Sequence, residues 1–297
     1  MNAAIIGSNG YIGKHLAKYL LEKNWEIYGY DILNENSVDG VKYKKLEIKE
    51  KKDAEEINLN VDYIFYFSGI TGTSRAYDDY ELFIDTNEKV LLHLLNRMRN
   101  EKRKNRIIFP STRLVYKGIE NTPLNEESEK EFKTIYSLNK WFGENIIRQY
   151  SEYFKIKYNI FRICVPYGNS FNENYSYGTI GFILNSAKER NEISIYGSGE
   201  QKRTFSHIYD ICNQIYYSII DENTENQIFN IHGETYSIID IAKKIGKKYN
   251  AVVKNNDWPE LEEKMESGDT IFDSSKIIKS INYKQINYFD AWLDNLT

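Results

Sequence analysis

Asn2-Ala3-Ala4-Ile5-Ile6-Gly7-Ser8-Asn9-Gly10-Tyr11-Ile12-Gly13 leads a short apolar segment into a run punctuated by three glycines. The residues that follow, His15, Leu16, Tyr19 and Leu20, recur at helical spacing. The pattern predicts a strand, a tight turn and a helix. Glycine suits a turn in which the backbone bends sharply and another group comes close to it. The first turn of the following helix offers N–H groups without intrahelical partners and the positive end of the helix dipole, which together favour an anion over the turn. An ordinary βα turn is the bland alternative. Placement directly after a strand at the start of the chain favours the phosphate-binding one.

The next apolar segment, residues 25–30, ends at Asp31, 18 residues after Gly13. A carboxylate at the end of the second strand can accept hydrogen bonds from both ribose hydroxyls of an adenosine and repels a 2′-phosphate, so the spacing predicts NAD rather than NADP. Ile32 follows Asp31 and is expected at the same end of the site. A third strand is expected over residues 43–48, with Glu47 and Ile48 at its end bracketing the adenine. Residues 62–67 are nearly all apolar, as befits a strand buried on both faces. They end in Phe67-Ser68-Gly69, followed by Thr71-Gly72-Thr73-Ser74, small residues that would let a nicotinamide ribose lie against the backbone. A helix is expected from residue 80 to about residue 100, then a fifth strand at Arg106-Ile107-Ile108-Phe109.

After that strand come Pro110-Ser111-Thr112, hydroxyls placed where α/β sheets bind their ligands. Further on, Tyr136-Ser137-Leu138-Asn139-Lys140 sets a phenol and an ammonium four residues apart, on one face of a helix. A free phenol, with a pKa of about 10, is protonated at neutral pH, and a neighbouring cation favours its phenolate. The spacing also fits an amphipathic helix with a solvated lysine, so the pair draws its weight from the motifs around it. A sixth strand over residues 158–165 closes at Pro166-Tyr167-Gly168. Beyond it lies Tyr196-Gly197-Ser198-Gly199-Glu200-Gln201-Lys202-Arg203-Thr204-Phe205, in which Arg203 is a candidate for bidentate contact with a phosphate.

Composition bounds the rest. The chain has 297 residues, 41% of them hydrophobic, enough for one large α/β domain with a smaller lobe. A formal charge of -4 and the lack of a long Lys/Arg run argue against a nucleic-acid partner. No apolar run is long enough to span a membrane and no signal-peptide layout opens the chain. Cys164 and Cys212, and four scattered histidines, give no metal-ligand pattern; so little cysteine suits a reducing cytoplasm. The expected fold is therefore α/β: a Rossmann-type doubly wound parallel sheet over residues 1–168, with 205–235 returning to it. Residues 169–204 and 236–297 would form a smaller mixed α/β substrate lobe.

Taken in order, Gly7 to Gly13, Asp31, Asn87, Ser111-Thr112 with Val115-Tyr116, Tyr136 with Lys140, Arg162 with Tyr167-Gly168, and residues 196–205 resemble the extended short-chain dehydrogenase/reductase family, in its NAD-dependent nucleotide-sugar epimerase/dehydratase branch. The resemblance implies Tyr136 as general base and acid, Lys140 as ligand of the nicotinamide ribose that also depresses the tyrosine pKa, and Thr112 as hydrogen-bond partner of the reacting oxygen. Gly7, Asn9, Gly10, Tyr11, Ile12, Gly13, Asp31, Ile32, Glu47, Ile48, Phe67, Ser68, Gly69, Asn87, Ser111 and Lys140 would line the NAD site. Thr71, Thr112, Tyr136, Val165, Tyr196 and Arg203 would meet a nucleotide-diphosphate sugar. A homodimer is implied as well.

The chain also departs from the family. Val165 stands where epimerases commonly carry an asparagine. Lys264-Met265-Glu266-Ser267 precede Gly268, where a second phosphate-gripping arginine is common. Thr112-Arg113-Leu114 replaces the Thr-Asp-Glu of 4,6-dehydratases. The implied reaction is 4-epimerisation of an NDP-hexose of UDP-glucose type. An NDP-4-ketosugar reductase or C4 dehydrogenase is the alternative, with Asp31 leaning against an NADPH-using reductase. A non-catalytic NAD sensor on this fold would be expected to have lost Tyr136 or Lys140.

Overall fold

The structure, a computed structural model, describes residues 1–171 and 177–296. In chain order the strands are β1 (Asn2–Ile6), β2 (Glu26–Asp31), β3 (Lys42–Lys45), β4 (Tyr63–Tyr66), β5 (Arg106–Thr112), β6 (Pro123–Leu124), β7 (Lys157–Ile163), β8 (Val165–Tyr167), β9 (Glu192–Tyr196), β10 (Lys202–His207), β11 (Gln227–Asn230), β12 (Glu234–Ser237), β13 (Val252–Asn256) and β14 (Ile271–Phe272). The α-helices are α1 (Tyr11–Glu22), α2 (Arg75–Asp78), α3 (Tyr80–Ile84), α4 (Val90–Asn100), α5 (Ile135–Phe154), α6 (Gly178–Arg190), α7 (Ile208–Ile220), α8 (Ile238–Tyr249), α9 (Glu260–Met265), α10 (Ser275–Ile281) and α11 (Phe289–Asn295). The chain divides into two compact units.

The first unit comprises Met1–Val115, Thr134–Arg162 and Ile215–Phe229. Its sheet has seven strands in the order β11-β7-β5-β4-β1-β2-β3, and β3, β2, β1, β4 and β5 pair in parallel. This is the doubly wound Rossmann-type arrangement. Strand order reverses between β1 and β4, so their carboxyl ends diverge into the crevice where such sheets take ligands. The central strands read as continuous apolar runs because both faces are covered; Ala3 to Ile5, Ile64, Phe65, Ile107 and Ile108 are buried.

Two local devices place the longest helix. Thr134 and Ser137 form a capping box: Thr134 Oγ1 accepts from the Ser137 N–H (3.1 Å) and Ser137 Oγ from the Thr134 N–H (3.2 Å). Helix α5 thereby starts one residue before Tyr136. Gly143 then lets α5 close on β5, since a Cβ there would lie 2.5 Å from Phe109 Cζ.

The boundaries differ from the sequence reading in two instructive places. Strand β3 stops at Lys45, so Glu47 and Ile48 lie beyond it. Among the described residues the strand is an edge strand paired only with β2, and Lys45 opposes Asp31, the last residue of β2. The helix expected over residues 80–100 is interrupted by a π-helical turn, Asp85–Lys89, between α3 and α4. Tyr236 belongs to β12, where it pairs with Arg203; α8 begins only after Ser237, whose hydroxyl caps it.

The second unit comprises Tyr116–Lys133, Ile163–Gln214 and Asn230–Thr297. It is mixed α/β. Strand β10 pairs in parallel with β8 and antiparallel with β12, and two short parallel pairs, β13-β9 and β14-β6, flank this sheet. Its core gathers Val165, Tyr167, Ile183, Phe205, Ile241 and Phe289. Among the described residues no helix is long and apolar enough to cross a membrane.

Gly143→Ala should cost about 1–3 kcal/mol, because the added methyl overpacks the α5–β5 contact. Urea denaturation measures it; an unshifted midpoint would show that the helix can stand further from Phe109.

Candidate active site

The glycine turn has the geometry of a phosphate cradle. Gly7 adopts φ +87°, and a Cβ there would lie 2.6 Å from the Ser68 nitrogen, so β1 and β4 end against each other with no room for a side chain. A Cβ on Gly13 would lie 2.1 Å from the Gly7 carbonyl oxygen, which sets how closely α1 packs on the turn. A Cβ on Gly10 would meet that same oxygen at 3.2 Å and, among the described residues, no other heavy atom within 4 Å. Helix α1 has no side-chain N-cap and no acidic residue in its first turn, so nothing of its own neutralises the positive end of its dipole. Asp31 closes the far side: its Oδ2 accepts from the Asn9 N–H (2.9 Å) and its Oδ1 from the Leu33 N–H (3.3 Å). Ile32 and Leu33 stand exposed beside it. These residues fit the pyrophosphate and adenosine half of a dinucleotide.

The same unit assembles the second cluster around Lys140, which is buried on α5. Its Nζ donates to the Pro110 carbonyl on β5 (2.9 Å) and lies 4.7 Å from the Phe109 ring centre and 5.9 Å from that of Tyr136. Tyr136 is half-buried, one turn earlier. Thr112 ends β5, with its Oγ1 accepting from the Leu114 N–H (3.3 Å). Ser111, one residue before, turns its hydroxyl inward to donate to Glu144 Oε1 (2.5 Å). Glu144 is held by Arg162, whose Nε and Nη2 donate to Oε1 (2.9 Å) and Oε2 (2.6 Å), a buried bidentate pair.

Asn87 works from the π-helical turn. Its Oδ1 accepts from the Ile70 N–H (2.8 Å) and its Nδ2 donates to the Ile70 carbonyl (3.1 Å) and to Asn139 Oδ1 (3.3 Å). Asn139 in turn donates to Glu88 (2.6 Å). The loop after β4, with Phe67, Ser68 and Gly69, is thus clamped beside Lys140; a Cβ on Gly69 would lie 3.8 Å from its Nζ. Thr71 is exposed on that loop. Glu47 pairs with Lys49 at the surface (3.0 Å), and Ile48, beyond the end of β3, packs against the core.

In the second unit, Val165 is buried in the apolar cluster, and Tyr196 is exposed against Trp258, with ring centres 5.2 Å apart. Arg203 is buried and pairs with Glu266. Sequence alone does not single out Glu144, Asn139 or Trp258. The i,i+4 step from Lys140 to Glu144 is the one local signal, and it is indistinguishable from a surface pair until burial is known. Among the described residues no group of three or more His, Cys, Asp or Glu side chains could hold a metal.

Burial pushes the Lys140 ammonium down to about 8, against the upward pull of the Glu144 carboxylate. The amine is therefore charged below that pH and neutral above it.

A glycine-turn crevice at the switch point of a doubly wound sheet defines a dinucleotide-binding enzyme fold. A profile of the NAD dependent epimerase/dehydratase family matches residues 3–231, and the chain belongs to that family, whose cofactor is NAD. The UDP-glucose 4-epimerase of Mycoplasma genitalium is 24% identical, with 82% of this chain and 80% of that protein aligned. The UDP-N-acetyl-alpha-D-glucosaminuronate decarboxylase of Bacillus cytotoxicus is also 24% identical, over 81% of this chain and 78% of its own. The fold superposes with a TM-score of 0.87 on the dTDP-glucose 4,6-dehydratase of Streptomyces venezuelae, solved with NAD bound, at 20% identity over 99% of this chain and 94% of that one. The chain is thus an enzyme of a family whose members run more than one reaction.

With Lys140 as a ligand of the cofactor ribose, NAD affinity of the cofactor-free protein should fall as pH rises through about 8. Glu144→Gln should move that inflection to lower pH, since it removes the carboxylate that favours the ammonium. Titration of NAD by fluorescence between pH 6.5 and 9.5 reads both; a flat profile would remove Lys140 from the site.

Proposed function

We propose that the protein is an NAD-dependent nucleotide-sugar 4-epimerase, which oxidises a sugar C4 alcohol transiently and returns the hydride to the opposite face of the 4-ketose. The observation that carries this reading is the placement of Tyr136 and the buried Lys140 on one face of α5, against the end of β5 that bears Thr112.

NAD, when bound, accepts the C4 hydride and gives it back. The remaining steps belong to the protein. Tyr136 Oη takes the C4 hydroxyl proton and later returns it to the ketone oxygen. Bringing a phenol from about 10 to near 7 needs roughly 4 kcal/mol of preference for the phenolate, and the Lys140 ammonium in a desolvated setting is one source of it. Thr112 Oγ1 donates to the reacting oxygen and holds it in line. The Asn87 clamp on Ile70 keeps the loop after β4 from yielding when the cofactor ribose settles.

A 4,6-dehydratase needs a further acid and base at C5 and C6, and Thr112-Arg113-Leu114 supplies no carboxyl group there. Asp31 at the end of β2 favours NAD. Arg203 is the expected ligand of the diphosphate, and Tyr196 with Trp258 offers an aromatic surface to the nucleotide base. The exposed Tyr80 and Leu82 on α3 and Leu138 on α5 suit the homodimer that the resemblance implies. A cytoplasmic setting matches the scarcity of cysteine.

Incubation with UDP-, GDP-, CDP- and dTDP-hexoses, followed by NMR of the products, tests the reaction. Inversion at C4 without net change in nicotinamide is expected; a 6-deoxy-4-ketose, loss of C6, or stoichiometric NADPH consumption would overturn the reading. Tyr136→Phe should retain NAD and lose at least about a hundredfold in kcat; near-wild-type turnover would remove Tyr136 from its role.

A further inference from the structure

Arg203, the residue best suited to an anionic substrate group in the second unit, already has a carboxylate on it. Its side chain is 3% exposed, and that of its partner Glu266 is 24% exposed. Nη2 donates to Glu266 Oε1, and Nη1 donates to the carbonyls of Lys202 (3.0 Å) and Gly268. Glu266 Oε1 also accepts from the Gly268 N–H (3.0 Å). An anion approaching Arg203 from solvent therefore meets Glu266 first.

The surroundings show which part can yield. Residues 268–270 are strapped to β10 and to the loop before β6. Thr270 N–H donates to the Lys202 carbonyl (2.9 Å), and Asp269 accepts from the Lys202 N–H (2.7 Å) and the Asn121 N–H (2.8 Å). Gly118 presses on the same strap, since a Cβ there would lie 1.8 Å from the Ser267 carbonyl oxygen. The Glu266 backbone is tied by its carbonyl to Lys133 Nζ (2.8 Å). The part-exposed Glu266 side chain can swing away at the cost of its bonds to Arg203 and the Gly268 N–H, leaving the other bonds of this frame in place.

We infer that Glu266 is an intrinsic competitor for the substrate's anionic group: it closes Arg203 in the free protein and sets how strongly the unit takes a diphosphate. The inference rests on Arg203 being the diphosphate ligand in the proposed reaction. The physical reason is one of charge. A guanidinium out of water needs a counter-charge, and Glu266 supplies it while no substrate is there. A diphosphate brings more charge and more oxygens to the same fork of donors, so it can replace the carboxylate. Until Glu266 leaves, it also repels the incoming anion. The pair is neutral, so weak anions such as single carboxylates gain little by entering, and selectivity for a strongly anionic group follows.

The test is calorimetric titration of NAD-saturated protein with UDP and with inorganic pyrophosphate, which needs no base recognition. Glu266→Gln keeps an amide oxygen for Arg203 and Gly268 but removes the charge. It should tighten both probes about tenfold or more, and Arg203→Gln added to it should erase the gain. Glu266→Ala should show the same direction. If Arg203→Gln alone weakens binding while neither Glu266 variant strengthens it, the competitor role falls and Arg203 keeps its own. If no variant changes binding, both fall. If both Glu266 variants fail to fold, the inference is also overturned, because a pair that folding requires cannot be opened by a substrate.

Discussion

One buried carboxylate organises the chemistry-bearing part of this protein. Glu144 lies on α5, takes the Ser111 hydroxyl from β5 and the Arg162 guanidinium from β7, and exerts its field on Lys140 one turn away. Glu144 and Arg162 are 1% and 2% exposed. Two charges that far from water gain little net stability from each other, but removing either would strand its partner at a cost of about 3–5 kcal/mol. The pair therefore works mainly as a register pin: it allows one placement of α5 against the sheet. The close approach at Gly143 and the capping box at Thr134 fix the same placement from two further points. Lys140 inherits its burial from this arrangement, and its lowered proton affinity follows from that burial.

The two units hold charge in different ways. In the first, the donors available to an anion are mostly backbone: a helix start without a side-chain cap and a glycine turn, whose dipoles cost no desolvation of a side-chain charge. The second has a formal charge, Arg203, which must be neutralised while it waits. Among described groups, Glu266 does so. This contrast gives physical content to family variation. Relatives share the sheet and the cofactor, and a fold of this kind does not by itself name a reaction. What separates reactions on one fold is a handful of side chains, and this sequence departs from the family pattern at Thr112-Arg113-Leu114, at Val165 and before Gly268.

Much of the first unit was legible in the chain because it is local. The β1 segment, the glycine turn and the amphipathic α1 are consecutive, and each is specified by residues within a few positions. Asp31 follows from the length of α1 and β2. The Tyr136–Lys140 spacing needs only helical periodicity. Strand β3 was less legible: its apolar pattern runs on to Ile48, but it ends where its single neighbour ends, at Asp31. The π-helical turn at Asn87 has no local signature either, because its stability comes from the contacts Asn87 makes with Ile70 and Asn139.

By itself, then, the sequence determined the class of fold and the cofactor type and offered candidate residues for proton transfer, since all three depend on short-range spacing and on residue chemistry. Only the tertiary structure decided what those residues face. Ser111 turns to Glu144 rather than to the crevice, Tyr236 lies in a strand opposite Arg203, Val165 packs into a core, and Arg203 meets Glu266, 63 positions away in the chain. Such pairings are set by burial: a charge or hydroxyl removed from water takes whichever partner the packing brings, and no local pattern encodes which partner that is.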